Sequence, residues 1–168
     1  MLSLQITAMK PFMSQLLTSD TFDLFLLKEA SVHTSVNTTI DGQVNRNFYS
    51  SQDAEEGLVP EYDFQPWSNL KGLCFYLIKG KRTPLYFKFI FYLKPELART
   101  LLTKENCSAD LSLINALVLN IRFDGTKTIL STGVAYSGFV LSKEADQIWD
   151  QALCRYLTKK ELAYEPLL

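Results

Sequence analysis

His33 is the only histidine in the chain, so any imidazole chemistry, a catalytic triad or a metal site alike, has to use it. Ser31 and Glu29 stand two and four residues before it, and in a strand all three side chains share one face. A carboxylate that orients an imidazole beside a hydroxyl is the chemistry such a row allows. The solvated face of a sheet has the same appearance, and catalytic groups gather on loops and strand ends rather than mid-strand. No catalytic residue is assigned from it. The row is read as part of a binding face.

Lys79-Gly80-Lys81-Arg82 is the densest positive run. Three cations about a glycine in a loop can hold a phosphate or a carboxylate. The run lacks the spacing of a nucleotide-binding loop, and cations after a helix also suit its C-terminal dipole. Tyr86, Lys88 and Tyr92 share the strand face opposite a row of phenylalanines. Aromatics interleaved with a cation stack bases in single-strand binders; edge-of-core tyrosines with a snorkelling lysine give the same pattern. The candidate binding residues are therefore Glu29, His33, Asn37, Asn45 and Lys88 on a polar sheet face, with Lys79, Lys81 and Arg82 in the loop.

Other chemistries lack their residues. Cys74, Cys107 and Cys154 are an odd, widely spaced set with no CxxC, which excludes a zinc finger and argues against a disulfide scaffold. Each is read as a free, mostly buried thiol in a reducing cytosol. The two Asp-Gly pairs supply carboxylates that hairpin geometry explains, and no carboxylate pair has a claim on general acid-base work. No metal and no cofactor is expected.

The elements that must position these residues come from a chain of 168 residues, long enough for one domain spanning 1–168. Hydrophobic residues make up 47% and charged residues 21%, a globular composition rather than a disordered one. With 17 basic against 18 acidic side chains the net charge is -1, which argues against a strongly basic nucleic-acid binder but leaves room for a local patch. The longest apolar stretch, residues 84–93, is about half the ~20 residues of a spanning helix, and Lys88 interrupts it. No secretory signal is visible at the N-terminus. The expectation is a cytoplasmic protein without membrane contact.

Alternation predicts a short strand at 2–6, and helical spacing of Met9, Phe12, Met13, Leu16 and Leu17 predicts a helix. Residues 29–41 alternate throughout, with Ala30, Val32, Val36 and Ile40 on one face, and read as one long strand. Asp41-Gly42 then predicts a three-residue hairpin loop that pairs Ile40 with Val44 and Val36 with Phe48. A polar surface loop at 50–65 leads to a helix entered at Pro66 and ended near Gly80. Leu85, Phe87, Phe89, Phe91 and Leu93 make a strand, and a helix follows from Pro95. Alternation returns at 111–123, turns at Asp124-Gly125 and runs on to 141. The last helix covers about 143–160, with Ser142 placed to cap it.

Short matches recur about half a chain apart: Lys10-Pro11 as Lys94-Pro95, Leu16-Leu17-Thr18 as Leu101-Leu102-Thr103, Asp41-Gly42 as Asp124-Gly125, and Leu73-Cys74 as Leu153-Cys154. Their shared order predicts an α+β fold of two similar β-α-β-β-α halves, 1–82 and 83–168. Together these would form a mostly antiparallel sheet with helices packed on one face. That topology resembles the saddle-shaped TATA-binding-protein fold and the repeat of sliding DNA clamps, although no functional residue transfers from either. Residues 24–45, the run IKGKRTPL at 78–85 and Trp149-Asp150 also resemble a family of small, uncharacterised cytosolic proteins of low-GC Gram-positive bacteria. That resemblance implies a bacterial source and no known activity.

The function read from the residues is a non-catalytic binding or assembly module. Its open polar sheet face would meet nucleic acid or a protein partner, and the C-terminal helix would serve as a possible homodimer seam. The alternative is a small-molecule binder or enzyme with a pocket near His33.

Overall fold

Strict alternation makes the central strand. Phe87, Phe89, Phe91 and Leu93 point one way and are buried, while Tyr86, Lys88, Ile90 and Tyr92 point the other way and are half-buried. The computed structural model describes residues 1–167. In order, the elements begin β1 (Ser3–Ile6), α1 (Met9–Thr18), β2 (Phe25–His33), β3 (Asn37–Asp41), α2 (Ser51–Glu55), β4 (Gln65–Pro66) and α3 (Trp67–Ile78). They continue with β5 (Tyr86–Leu93), α4 (Pro95–Lys104), β6 (Ile114–Phe123), β7 (Thr128–Tyr136), α5 (Glu144–Lys159) and β8 (Tyr164–Pro166).

The strands form one antiparallel sheet in the order β3-β2-β5-β6-β7-β1-β8, with β4 alongside β2. The helices pack on one side, so the expected α+β architecture is the observed one. Phe25, Phe91, Trp67 and Phe89 stack between sheet and helices at ring separations from 4.9 to 5.4 Å. Each buried aromatic of this kind contributes about 1.5–3 kcal/mol through burial alone. α1, α3 and α5 complete the layer with Phe12, Leu16, Cys74, Leu153 and Leu157.

The two expected halves differ in their elements, the first inserting α2 and β4 before its last helix and the second ending in β8, and they are not interchangeable in the sheet. β5, which opens the second half, lies between β2 and β6, whereas β1, which opens the first, lies beyond β7. Sheet closure therefore interleaves the halves.

The stretch 29–41 is not one strand. It breaks at Thr34, Ser35 and Val36, where the amide of Thr34 donates to the carbonyl of Val36 (2.9 Å). β2 and β3 then pair His33 with Asn37 and Ala30 with Ile40. A three-residue turn returns even-numbered residues opposite even-numbered ones, so the apolar alternation runs through it unbroken. The sequence pattern of a hairpin with this loop is that of a straight strand. Val36, expected in the core, is 64% exposed at the turn, and Phe48, its expected partner, is 82% exposed.

Asp41-Gly42 has a different task. β2 carries a bulge at Lys28, where the register shifts between Leu27 and Glu29. Gly42 sits against that bulge, donating its amide to Lys28 O (2.9 Å) and accepting from the amide of Gln65 (2.8 Å). A Cβ there would lie 1.8 Å from the carbonyl oxygen of Leu27. Only glycine lets β3 leave and β4 take over along the same edge of β2. Asp124-Gly125, by contrast, is the expected hairpin between β6 and β7. The Asp124 carboxylate accepts from the amides of Thr126 and Lys127 and from the Thr126 hydroxyl, which holds its pKa down to about 2.

Gly42→Ala is expected to destabilise the protein by about 2–3 kcal/mol or more, because a backbone carbonyl must move. Gly72→Ala, at an exposed helical site with nothing within 4 Å, should stabilise it by about 0.5–1 kcal/mol. Urea unfolding midpoints of the two variants check both signs, and equal midpoints would contradict the assignment.

Candidate functional site

Pairing across the sheet gathers part of the predicted surface on the open face. His33 lies opposite Asn37 on one side and Tyr86 on the other, with its ring 5.0 Å from that of Tyr86. Ser31 faces Lys88, and Lys88 faces Arg122. Glu29 faces Asp41 and Ile90. Among the described residues no hydrogen bond joins Glu29, Ser31 and His33, as strand spacing dictates for side chains two residues apart. Asn45 falls outside this group. It precedes the 3₁₀ turn Arg46–Phe48, and its carbonyl accepts from the amide of Phe48 (3.1 Å).

Lys79 and Arg82 belong elsewhere, at the helix-covered side of the sheet end. α1 and α3 run past one another, with the C-terminal end of α1 beside the start of α3. There the indole N–H of Trp67 donates to Leu16 O (2.9 Å), and Lys71 Nζ donates to Ser19 O and pairs with Asp23, both at 2.8 Å. These bonds satisfy carbonyls at the end of α1 that have no partner within the helix. A cavity of about 540 Å³ runs along α1, from Met9 to Thr18, beside the C-terminal end of α3.

Its floor is apolar. Met9, Met13 and Leu17 of α1 meet Phe75 and Ile78 of α3, and the stacked pair Phe87 and Phe123 (5.1 Å) closes the sheet end. Its rim is cationic. Lys10 comes from the first turn of α1, and Lys79 and Arg82 come from the loop after α3. The lining holds the hydroxyls of Ser14, Thr18 and Thr83, and among the described residues it contains no carboxylate, imidazole or thiol. Among the described residues none of the three rim cations has an ion-pair partner. Such a site can bind an anionic head at the rim and an apolar body below it.

Lys81 projects from the same loop without lining the cavity, and His33 does not line it either. Lys10 and the methionine floor were not among the sequence candidates. One sequence feature does point toward this region. Between Asp63 and Glu96 the chain has no acidic residue, yet it carries Lys71, Lys79, Lys81, Arg82, Lys88 and Lys94. That imbalance is large in a chain with net charge -1.

The last helix uses its apolar face within the chain. Ala145, Trp149, Leu153 and Leu157 are buried, the Trp149 indole donates to Val118 O (2.8 Å), and the Tyr156 hydroxyl donates to Thr21 O. The three cysteines are free thiols. Burial pushes the Cys74 thiol up to about 12. In the folded protein Cys74 should therefore react with a thiol reagent at least on the order of a hundredfold more slowly than Cys107 and Cys154. All three should react alike in denaturant. Mass-resolved labelling checks this, and fast native labelling of Cys74 would contradict its place in the core.

Comparison of the chain with curated proteins and with solved structures gives no match. Residues 15–165 match the sequence pattern of DUF5721, a family of unknown function, and this span includes α3 and the cationic loop but only residues 15–18 of α1, so that Met9, Lys10 and Met13 lie outside it. It also includes residues 24–45, 78–85 and Trp149-Asp150, on which the sequence resemblance rested. The chain belongs to DUF5721.

Proposed function

We propose that this protein binds a small anionic amphiphile, such as a medium-chain carboxylate or a single-chain phosphate ester, in the cavity between α1, α3 and the 79–84 loop. One observation carries the reading: a cavity of about 540 Å³ whose floor is apolar and whose rim holds Lys10, Lys79 and Arg82 with no carboxylate in the lining. Burial of an alkyl chain yields about 0.8 kcal/mol per methylene, and the rim selects the charged head. Association costs offset much of that gain, which leaves an affinity on the order of micromolar. The lining hydroxyls have no neighbouring base there, which favours binding over turnover.

A second reading places a single-stranded nucleic acid or a protein partner on the open sheet face. In its favour, Lys88 stands beside Arg122 and the His33–Tyr86 ring pair lies next to them. Glu29 and Asp41, directly opposite each other on that face, weigh against a polyanion.

Displacement of a fluorescent fatty-acid probe by dodecanoate tests the cavity. Arg82→Glu should weaken binding about tenfold. Met13→Trp, which fills the floor, should abolish it, and Lys88→Glu on the open face should leave it unchanged. The cavity reading fails if wild-type protein does not bind dodecanoate, or if Lys88→Glu is the variant that loses it.

A further inference from the structure

Among the described residues the outer face of α3 has no partner in the fold. Trp67 and Cys74 fix its inner face in the core, while Leu73 is 50% exposed, Tyr76 67% and Phe75 40%. Leu73 and Tyr76 are three residues apart and therefore neighbours on one helix stripe. Ordinary surface helices place charged and polar residues at such positions. Here the apolar stripe is followed by Lys79, Lys81 and Arg82, and the ammonium group of Lys79 stands 4.8 Å above the Tyr76 ring at the edge of the patch. No acidic residue occurs between Asp63 and Glu96 to oppose these cations. Apolar and tyrosine side chains next to a cluster of lysine and arginine are what an interfacial helix presents to anionic headgroups.

We propose that the outer face of α3 and the 79–82 loop dock this protein on an anionic lipid bilayer. Leu73 and Tyr76 enter the headgroup region, and Lys79, Lys81 and Arg82 contact lipid phosphates. No helix among the described residues is long and apolar enough to cross a bilayer, and docking on a surface needs none. Lys79 belongs both to this surface, over the Tyr76 ring, and to the cavity lining, so docking brings the cavity mouth to the membrane surface. The proposal rests on the amphiphile reading only for what the membrane delivers. The docking surface stands on its own charges and exposure.

Flotation with vesicles tests it. The probes are phosphatidylcholine vesicles and vesicles with roughly one third phosphatidylglycerol, at low and at near-physiological salt. Wild-type protein should float with the anionic vesicles, less so at the higher salt, and should stay in solution with phosphatidylcholine alone. The double variant Leu73→Ser, Tyr76→Ser and the variant Lys81→Glu should each lower the floated fraction at least about fivefold at near-physiological salt. The replaced side chains are exposed and line no part of the cavity, so both variants should keep the wild-type circular dichroism, and the uncharged Leu73→Ser, Tyr76→Ser variant should bind dodecanoate normally. No flotation of the wild-type protein, equal flotation with both vesicle types, or unchanged flotation of both variants would each overturn the proposal. Flotation that survives in a protein unable to bind dodecanoate would reject the cavity reading and uphold the docking surface.

Discussion

The hydrogen bond from the Trp67 indole to the carbonyl of Leu16 is the contact on which the rest of the layer depends. It joins the last turn of α1 to the first turn of α3, and it satisfies one of the four carbonyls that every helix leaves unpaired at its C-terminus. The same ring packs on Phe89 and Phe91 of the central strand. One side chain therefore fixes two helices and the sheet relative to one another. Truncating a buried tryptophan costs about 3–5 kcal/mol through lost contacts and the cavity it leaves. Here an orphaned carbonyl adds to that cost.

Because α1 and α3 are fastened there, the space that runs along α1 beside the end of α3 is fixed too. Met9 and Met13 face Phe75 and Ile78 across it, and methionine and aromatic side chains adapt to apolar guests of differing shape. The loop that must connect α3 to β5 crosses the mouth and brings Lys79 and Arg82 with it. Helix pairing, loop placement and cation placement are thus one constraint, set by where α3 begins. The sheet separates this site from its other face, where Glu29, His33, Asn37 and Lys88 form a polar row. Residues predicted as one surface belong to two, on opposite sides of the sheet.

Much of the fold is legible in the chain because its local signals agree. Phe87, Phe89, Phe91 and Leu93 fall at every second position, Asp124-Gly125 supplies a turn with its own acceptor, and Pro66 and Pro95 sit where helices begin. The first hairpin was hidden for a definite reason. Its three-residue loop preserves alternation, so no break shows between Glu29 and Asp41, and the nearby Asp-Gly pair invites the turn to the wrong place. Gly42 answers to a long-range contact with the bulge in β2, which no local pattern encodes. β4 and β8 have only two and three residues, too few to carry a period. Of the site, the Lys79 to Arg82 run was visible as charge. Its floor was not, because Met9, Met13, Phe75 and Phe123 come from three distant segments that only tertiary packing brings together.

Membership of DUF5721 attaches no activity to this arrangement, so the cavity has to be tested directly. The chain has three methionines, and two of them, Met9 and Met13, line the cavity while Met1 does not. Methyl resonances of methionine-labelled protein, followed during titration with decanoate and then with decanol, report occupancy at the floor itself. Decanoate should shift the Met9 and Met13 methyls and leave Met1 in place, and the uncharged alcohol should need roughly tenfold more ligand to do the same. Methyls that do not move with decanoate, or that respond to alcohol and carboxylate alike, would contradict a cavity built for an anionic amphiphile.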